Sequence, residues 1–398
     1  MKFEINADGF KKRTTSVLKV ATKLKADIVI QATPTNLFLF AFSDTIKVVV
    51  KFTDDDLRKL NYKCHASGTM TARALHIVPF IPLFREKDSQ IIISCDENIG
   101  SISFSERNCN YPFELVSSTY HWQQELQYTM FTVNRKNLQE GIRRLLPIKP
   151  EIPFKATCDE MVKPVSHIQI ECENNKLVLI NSHTSGLACY IINNIGLNTS
   201  HETVSVDYKI FAAMSQIFTS VPDNEISIGV GDSKLYIYTH NIQYEFNVYI
   251  NRRRRIDFDP SDYYYQLSSS LKDWSFIGTS DYSNDNDTKI EINYFDGNVK
   301  YSFGEELEEN YYFPIEYEHN MKYYSDELLK NVPTHFTCST NYIAKMVKLS
   351  KQGERLTMYF GGKKPGRFKR KTVLVEYPVK DKSNCQLYYI FVAQKEGA

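Results

Sequence analysis

The sequence predicts an α+β protein built from three tandem copies of one structural unit. The first observation is a hairpin pattern that occurs three times, with an alternating apolar strand, a polar turn and a second alternating strand. The second is its context, because a helical pattern precedes each hairpin and a strand running into another helix follows it. Further alternating strands complete each copy. Two helices backing a predominantly antiparallel sheet are therefore expected in every copy.

The three hairpins share their spacing. In each of them an isoleucine in the first strand is followed nine positions later by an aliphatic residue in the second strand. One such hairpin would carry little information, but three with the same spacing indicate an internal repeat. The hairpins read IVIQATPTNLFLF at 28–40, IQIECENNKLVLI at 168–180 and IEINYFDGNVKYSF at 290–303.

Helical patterns flank each hairpin on both sides. The preceding segments cover 7–25, 134–146 and 261–274, and the strand-to-helix segments that follow cover 67–80, 205–218 and 338–350. Asn134 is a suitable N-cap for the second of the preceding helices. The repeat places domain boundaries near residues 126 and 258, which gives three domains at 1–126, 127–258 and 259–398. The arginine-rich run INRRRRIDFD at 250–259 lies on the second boundary.

Composition restricts the cellular setting but not the function. The chain has 48 Lys and Arg against 47 Asp and Glu, so a nucleic-acid partner would need basic residues gathered on one surface. Its eight cysteines form no CxxC pair, and the sequence shows no signal peptide and no apolar run of membrane-spanning length. A soluble protein of the reducing cytoplasm is expected.

Basic residues recur on the polar faces of the predicted helices. On the first helix, Lys12, Lys19 and Lys23 are spaced by seven and four positions, which places them on one stripe opposite Phe10 and Val17. An ordinary solvated helix face is the alternative for any single stripe, but a face rich in cations and poor in acids also suits phosphate contacts. The candidate DNA-binding residues are Lys12, Lys19, Lys23, Arg73, Lys136, Arg143, Arg144, Lys209, Lys272, Lys345, Lys348 and Lys351.

Catalytic and metal-binding signatures were sought without success. The loop GGKKPGRFKRK at 361–371 lacks the spacing of a phosphate-binding loop and connects two predicted strands. Cys64 and His65 are adjacent, so a strand would direct them to opposite faces. The acidic runs at 53–56 and 304–310 flank strands and are interpreted as solvated loops or edges. We therefore expect no enzymatic activity, no metal and no cofactor.

Several segments are similar to the bacterial-type β sliding clamp of DNA polymerase III. They are MKFEI at the start, FTVNRKNL at 131–138, VSVDYKIFAAM at 204–214 and QLYYIFV at 386–392, and the resemblance covers essentially the whole chain. It implies three clamp domains that assemble head to tail into a homodimeric ring with helices lining a central hole. Double-stranded DNA would pass through the hole without sequence readout, and a DNA polymerase and a clamp loader would be the protein partners.

The resemblance also implies a peptide-binding pocket between the second and third domains. The family's glycine, histidine and arginine before the pocket leucine are Thr184, Ser185 and Gly186 here, and its usual C-terminal ending is absent. The implied pocket residues are Val165, Ser182, Leu187, Arg253, Arg255, Tyr389, Ile390, Phe391 and Val392. An alternative stays open: a non-catalytic, clamp-like interaction protein, for instance of a phage or mobile element, that competes for clamp-binding peptides without encircling DNA.

Overall fold

The structure is a computed structural model of the 398-residue chain. It describes residues 1–392 except for 24, 45, 84–88, 105–106, 118–128, 148–166, 174, 184–185, 197–201, 221–222, 232–233, 240–241, 251–258, 271–286, 294–297, 304–310, 315–334, 340–354 and 363–371. Among the described residues, no helix combines the length and the apolar character that crossing a membrane requires.

The elements follow the order that the repeat predicts. The first copy contains β1 (Lys2–Asn6), α1 (Ala7–Lys23), β2 (Asp27–Ala32), β3 (Leu37–Phe42), β4 (Ile46–Phe52), α2 (Asp54–Lys59), β5 (Lys63–Ala66), β6 (Gly68–Arg73), α3 (Ala74–Ile77), a 3₁₀ helix (Val78–Leu83), β7 (Gln90–Asp96), β8 (Ile99–Phe104) and β9 (Arg107–Glu114).

The second and third copies repeat parts of this order. The second contains β10 (Thr129–Asn134), α4 (Arg135–Leu145), β11 (His167–Glu173), β12 (Lys176–His183), β13 (Gly186–Asn193), β14 (Glu202–Asp207), α5 (Tyr208–Ser220), β15 (Glu225–Gly231), β16 (Lys234–Tyr238), β17 (Ile242–Asn247) and β18 (Tyr249–Ile250). The third contains a 3₁₀ helix (Pro260–Asp262), β19 (Tyr263–Ser270), β20 (Asp287–Asn293), β21 (Asn298–Phe303), β22 (Tyr311–Pro314), β23 (His335–Ser339), β24 (Arg355–Gly362), β25 (Thr372–Tyr377) and β26 (Cys385–Val392).

The chain divides into two compact units that do not follow the predicted boundaries. Unit 1 comprises Met1–Gln139 and Lys209–Ile250, and unit 2 comprises Glu140–Tyr208 and Asn251–Ala398. The second copy is thus shared between the units, which are described separately below. The three-domain division at residues 126 and 258 stays a prediction.

Unit 1 contains two antiparallel sheets. One has the strand order β5-β1-β7-β8-β9, and the other has the order β10-β15-β16-β17-β4-β3-β2-β6. In the second sheet β17 pairs with β4, so strands from the first and second copies form one continuous hydrogen-bonded ladder. Antiparallel pairs of this kind satisfy the backbone donors and acceptors of both strands.

Helix α1 packs on one face of the larger sheet of unit 1. Phe10 stacks on Phe52 of β4 with ring centroids 5.9 Å apart, and Val17 and Ala21 are also buried. This is the apolar stripe that the sequence predicts, and fully burying each large side chain stabilises the fold by roughly 1.5–3 kcal/mol. The contact also identifies the helix-covered face of the sheet, because Phe52 alternates with Val49 and Lys51 along β4.

Unit 2 is built on a sheet in which β14, β11, β12, β13, β26, β25, β24 and β19 are neighbours in that order. A smaller sheet has the order β22-β21-β20-β23. Helix α4 lies so close to the first sheet that a Cβ on Gly141 would stand 2.5 Å from the ring of Tyr190. A glycine inside a helix costs about 1 kcal/mol, and this close approach is the reason for it here.

The predicted α+β class and its three hairpins are confirmed. The hairpins are β2 with β3, β11 with β12 and β20 with β21, and all three are antiparallel. Helices α1, α4 and α5 also lie where the sequence predicts them. The predicted helical pattern at 338–350 begins on β23, and its remainder lies outside the described residues.

The predicted helical segment at 261–274 is wrong over most of its length. Residues Tyr263–Ser270 form strand β19, which pairs with β24, and residues 271–274 lie outside the described part of the chain. A run of three tyrosines favours a strand, because aromatic side chains pack well on a pleated surface. By position β19 matches β1 and β10, the strands that precede the helices of the first two copies.

The acidic run at 53–56 is also more structured than a solvated loop. Thr53 caps α2, and its side chain and that of Asp56 form a reciprocal capping box. Asp56 is buried, and Arg13 of α1 forms an ion pair with its carboxylate. The run therefore ties α2 to α1 within unit 1.

Candidate functional site

Exposed lysines run along α1 on the side away from the sheet. Lys12, Lys19 and Lys23 are all exposed, as the predicted stripe requires. Lys12 Nζ lies 2.6 Å from Asp8 Oδ2 one helical turn earlier, and an exposed pair of this kind contributes only about 0.3–0.5 kcal/mol. Because this pair is weak, Lys12 can leave Asp8 and bind a phosphate group instead. Helix α1 therefore presents cations that a phosphate group can reach.

Helix α4 contributes two of its three predicted basic residues to the surface. Lys136 and Arg143 are exposed. Arg144 is buried, with 2% of its surface accessible, so the prediction that it contacts DNA is wrong. Its guanidinium lies 3.5 Å from Glu140 Oε1 and donates to the carbonyl oxygen of Pro378 at 3.3 Å. A buried charge requires partners of this kind, and they hold Arg144 in the interior of unit 2.

Lys209 and Arg73 are exposed in different settings. Lys209 lies near the start of α5. Arg73 ends β6 opposite Asp27, whereas its neighbour Ala72 pairs with Ile28 on the face that α1 covers. Strand alternation therefore places Arg73 on the opposite face of the sheet, away from the α1 lysines. It does not join the helical basic surface for which it was nominated.

Other predicted site residues lie outside the described part of the chain. They are the DNA-binding candidates Lys272, Lys345, Lys348 and Lys351 and the pocket candidates Val165, Arg253 and Arg255.

The same strand joint occurs once in each unit. In unit 1 β17 pairs with β4, and Tyr244 lies opposite Val48. In unit 2 β26 pairs with β13, and Tyr389 lies opposite Ala188. Both tyrosines are buried, with 0% and 1% of their surface accessible. Each joint therefore places a buried tyrosine on a strand of one copy, opposite a small or branched residue of the preceding copy.

The unit 2 joint gathers some of the predicted pocket residues into one row. Ser182 pairs with Leu187, Leu187 with Ile390, and Ile390 with Leu374. Tyr389 does not belong to this row, because it is buried on the other face of the sheet, and its nomination as a pocket residue is wrong. Phe391 and Val392 continue β26 and pair with Val373 and Thr372.

A cluster of apolar side chains lies on the same face as this row. Its members come from β12, β13, β25 and β26, with two half-buried tyrosines from β19 and β24 packed against them. The sequence alone did not identify most of them, although the alternation of Val178 with Ile180 marks one face of β12. The cluster comprises Ile180, Cys189, Ile191, Leu374 and Tyr388, with Val178, Leu187, Tyr263 and Tyr359 at its partly exposed rim.

Two carboxylates lie on the face of this apolar cluster: Glu171, which is buried opposite Val178 and accepts from Gln169, and the half-buried Glu376. Glu376 pairs with Tyr388 across β25 and β26, and Tyr359 donates its hydroxyl to Glu376 Oε2 at 2.8 Å. Burial, followed by this hydrogen bond to Glu376, raises the pKa of Tyr359 above its ordinary value. The hydroxyl therefore remains a donor at neutral pH.

The corresponding face in unit 1 has a different charge arrangement. Its apolar members are Val29, Phe40 and Val49, with Phe38 and Phe42 partly exposed beside them. The joint there places Lys47 opposite Glu245, with Lys47 Nζ 3.6 Å from Glu245 Oε1. Lys234 approaches the same oxygen at 3.0 Å, so this carboxylate is held between two cations.

No metal centre accompanies these surfaces in the described residues. Within that part of the chain, no group of three or more His, Cys, Asp or Glu side chains is arranged to hold a metal ion. The loop at 363–371 lies outside it, between β24 and β25, so it connects two strands as the sequence predicts.

These features define an α+β protein of repeated antiparallel hairpins whose strands join from one copy to the next. No family model matches the sequence, and no curated protein matches it. Solved structures of the same fold match the chain from end to end, and they are structures of DNA polymerase III beta subunits. The chain therefore has the fold of the DNA polymerase III beta sliding clamp over its whole length.

Three of these structures illustrate the likeness. The sliding clamp of Bacillus subtilis has a TM-score of 0.72 at 13% identity, with 100% of each chain covered. The clamp of Pseudomonas aeruginosa bound to griselimycin has a TM-score of 0.73 at 12% identity, with 99% of each chain covered. The beta subunit of Thermotoga maritima has a TM-score of 0.70 at 12% identity, with 100% of each chain covered.

Proposed function

We propose that the chain is a DNA sliding clamp. In this proposal two copies form a head-to-tail ring of six domains that encircles duplex DNA in the cytoplasm. The ring tethers a DNA polymerase through the apolar face of unit 2, is placed on DNA by a clamp loader and catalyses no reaction. The full-length likeness to solved beta clamps supports the fold on which this activity depends.

The exposed cations on the helices support the DNA contact. Lys12, Lys19 and Lys23 on α1, Lys136 and Arg143 on α4 and Lys209 on α5 are all at the surface. Lysine and arginine contacts to phosphate carry no sequence information, which suits a protein that must slide. Their binding should weaken steeply as salt rises, because phosphate neutralisation releases condensed counterions.

The observation that carries the proposal is a strand joint that is made twice within the chain. Two further strand edges lack a partner among the described strands. By position in its sheet, β9 corresponds to β17 and β26. Tyr111 of β9 then corresponds to Tyr244 and Tyr389, because each of these tyrosines lies opposite an aliphatic residue of the preceding strand. Tyr111 is only partly buried, and β9 ends its sheet among the described strands.

The complementary edge is β22. This strand corresponds to β4 and β13, the partners of β17 and β26, because each follows the second strand of a hairpin and pairs with it. Among the described strands β22 also ends its sheet. We infer that β9 of one copy pairs with β22 of a second copy, which would complete the joint a third time and close the ring with two identical seams.

A cysteine scan tests this seam. Cys109 is exposed on β9 and lies at an irregularity in the β8–β9 register, two residues before Tyr111. The residues of β22 tested against it are 311, 312 and 313. Antiparallel neighbours have Cβ atoms about 4.5–5.5 Å apart, which is close to the separation that a disulfide spans.

The variants Tyr311→Cys, Tyr312→Cys and Phe313→Cys are oxidised separately, and non-reducing electrophoresis measures the fraction of cross-linked dimer. We expect efficient cross-linking from at least one of these three positions and none when Cys109→Ser is combined with it. The cross-linked dimer should stay on nicked circular DNA in high salt and leave after the DNA is linearised.

Two outcomes would contradict the ring. The first is a strictly monomeric protein at micromolar concentration by light scattering, with no cross-linking at 311, 312 or 313. The second is a cross-linked dimer that circular DNA never retains. Either result would favour the non-encircling interaction protein as the function.

A further inference from the structure

The apolar face of unit 2 bears two carboxylates in the described residues, of which Glu171 is buried and Glu376 is the more exposed. Glu376 is half-buried beside Tyr388, and its described hydrogen bond comes from the neutral hydroxyl of Tyr359. Among the described residues, no lysine, arginine or histidine forms an ion pair with it. A carboxylate has about four lone-pair positions, so it can accept further hydrogen bonds.

Unit 1 provides an internal comparison for this arrangement. Glu245 lies on the corresponding face of the other joint, where Lys47 and Lys234 neutralise it from within the same sheet. At the positions that match Lys47 and Glu245, the unit 2 joint has Leu187 and Ile390. Within the described residues, unit 2 thus offers apolar side chains beside a half-buried acid that has no basic partner, whereas unit 1 offers an acid that is already paired with two lysines.

We propose that the apolar face of unit 2 binds a peptide segment that presents a lysine or arginine together with its apolar anchors, and that Glu376 receives the cation. This inference rests on the proposed function, since it specifies the partner of the tethering site. The partly exposed rim of Val178, Leu187, Tyr263 and Tyr359 takes the apolar side chains.

The physical basis is charge complementarity at a partly dry surface. Removing apolar side chains from water supplies most of the binding free energy but little discrimination among peptides. A charge-assisted hydrogen bond is shorter and about twice as strong as a neutral one, and desolvation by the neighbouring rings strengthens it further. An acidic residue at the same place in the peptide would be repelled. The site therefore selects for sign of charge as well as for apolar character.

The test uses a random octapeptide library displayed on phage, selected in parallel against four forms of the full-length protein. These are the wild type, Glu376→Gln, the matched control Glu245→Gln and the background control Leu187→Asp. Glu376→Gln keeps the shape of the side chain and can still accept from Tyr359, so its thermal unfolding should match the wild type. Peptides recovered with the wild type are then remade with their basic residue changed to Gln or Glu, and fluorescence anisotropy measures their affinities.

We expect lysine and arginine to be enriched with the wild type and with Glu245→Gln but not with Glu376→Gln. Replacing the basic residue by Glu should weaken binding to the wild type roughly tenfold, and this difference should vanish with Glu376→Gln. Equal enrichment of basic residues with the wild type and Glu376→Gln would overturn the inference while leaving the tethering site intact. Failure to recover any peptide above the Leu187→Asp background would overturn both, whereas the seam and DNA-retention measurements test the ring independently.

Discussion

The two units place their ion pairs on opposite faces of the sheet that contains the strand joint. In unit 1, Glu245 and its two lysines lie on the face that α1 does not cover, and the helix-covered face is apolar around Tyr244. In unit 2, the ion pair of Glu140 and Arg144 lies in the interior beside Tyr190, and the other face carries the apolar cluster together with Glu171 and Glu376.

This difference shows how one backbone arrangement supports two kinds of surface. Both joints use the same antiparallel pairing and a buried tyrosine, so the backbone does not distinguish them. The two units differ in the face of the sheet on which their ion pairs lie. In unit 2 the ion pair lies in the interior, and the other face is mostly apolar, which is the kind of surface that a peptide partner needs. Three sets of substitutions test this difference between the units.

The largest effect is expected from Arg144→Met in unit 2. The variant leaves the Glu140 carboxylate buried without its cation and removes the hydrogen bond to Pro378, which should cost about 3 kcal/mol of unfolding free energy. Urea denaturation followed by circular dichroism measures the loss. Arg143→Met is the matched control, because Arg143 is exposed and its replacement should change stability by less than about 0.5 kcal/mol. Equal effects of the two changes would remove the distinction between interior and surface charge.

An intermediate effect is expected from the thiol of Cys385, which lies opposite Ile192 in the unit 2 joint. Burial raises the pKa of Cys385 from 9.0 to about 11. Below pH 9 the thiol is neutral in both the folded and the unfolded chain, so its contribution to stability is fully present. Between pH 9 and 11 the unfolded chain ionises first, and about 2 kcal/mol of stability should be lost.

The change Cys385→Ala should flatten the fall in the urea midpoint between pH 8 and pH 10.5. The same measurement on Cys109→Ala, which removes an exposed thiol, should retain the wild-type slope. Unit 1 has no cysteine in β4 or β17, so this alkaline sensitivity would separate the two joints. An unchanged slope in Cys385→Ala would show that the joint does not shield its thiol.

The smallest effect is expected from the double change Lys47→Leu and Glu245→Ile in unit 1. It gives this joint the apolar pair that unit 2 has at the same positions. Replacing a partly buried ion pair by apolar residues is often nearly neutral, so stability should change by less than about 1 kcal/mol in thermal unfolding. A loss well above that value would mean that the ion pair holds the unit 1 joint together, and that the two joints are not interchangeable.

The sequence predicted those features that depend on local periodicity. The hairpins could be found because their alternating apolar positions reflect the pleat, and α1 because its apolar and basic stripes follow the helical repeat. The row of Ser182, Leu187 and Ile390 was partly anticipated through the resemblance to the clamp family. For the hairpins and for α1 the signal lies within a few residues of the chain.

Features that depend on distant partners could not be predicted. Arg144 differs from Arg143 only in the face it occupies, and its burial depends on Glu140 and on Pro378 far along the chain. Tyr389 was nominated through the resemblance together with residues 390–392, and the sequence of β26 could not separate the two faces, because a nearly continuous apolar run hides their alternation. The strand at Tyr263–Ser270 requires β24 as a partner, and one segment alone does not reveal it.

The backbone ladders at β4–β17 and β13–β26 bear on how far a sequence of this fold can diverge. Each of these joints is made by backbone amide and carbonyl groups, and every residue except proline supplies both groups in the same form. Side chains at a joint need only suit the two faces of the sheet, and the two units do this with different residues. Substitutions can therefore accumulate at a joint without separating the copies that it connects. A fold assembled through such joints can persist when this chain and a solved structure of the same fold share only 11–13% of their residues.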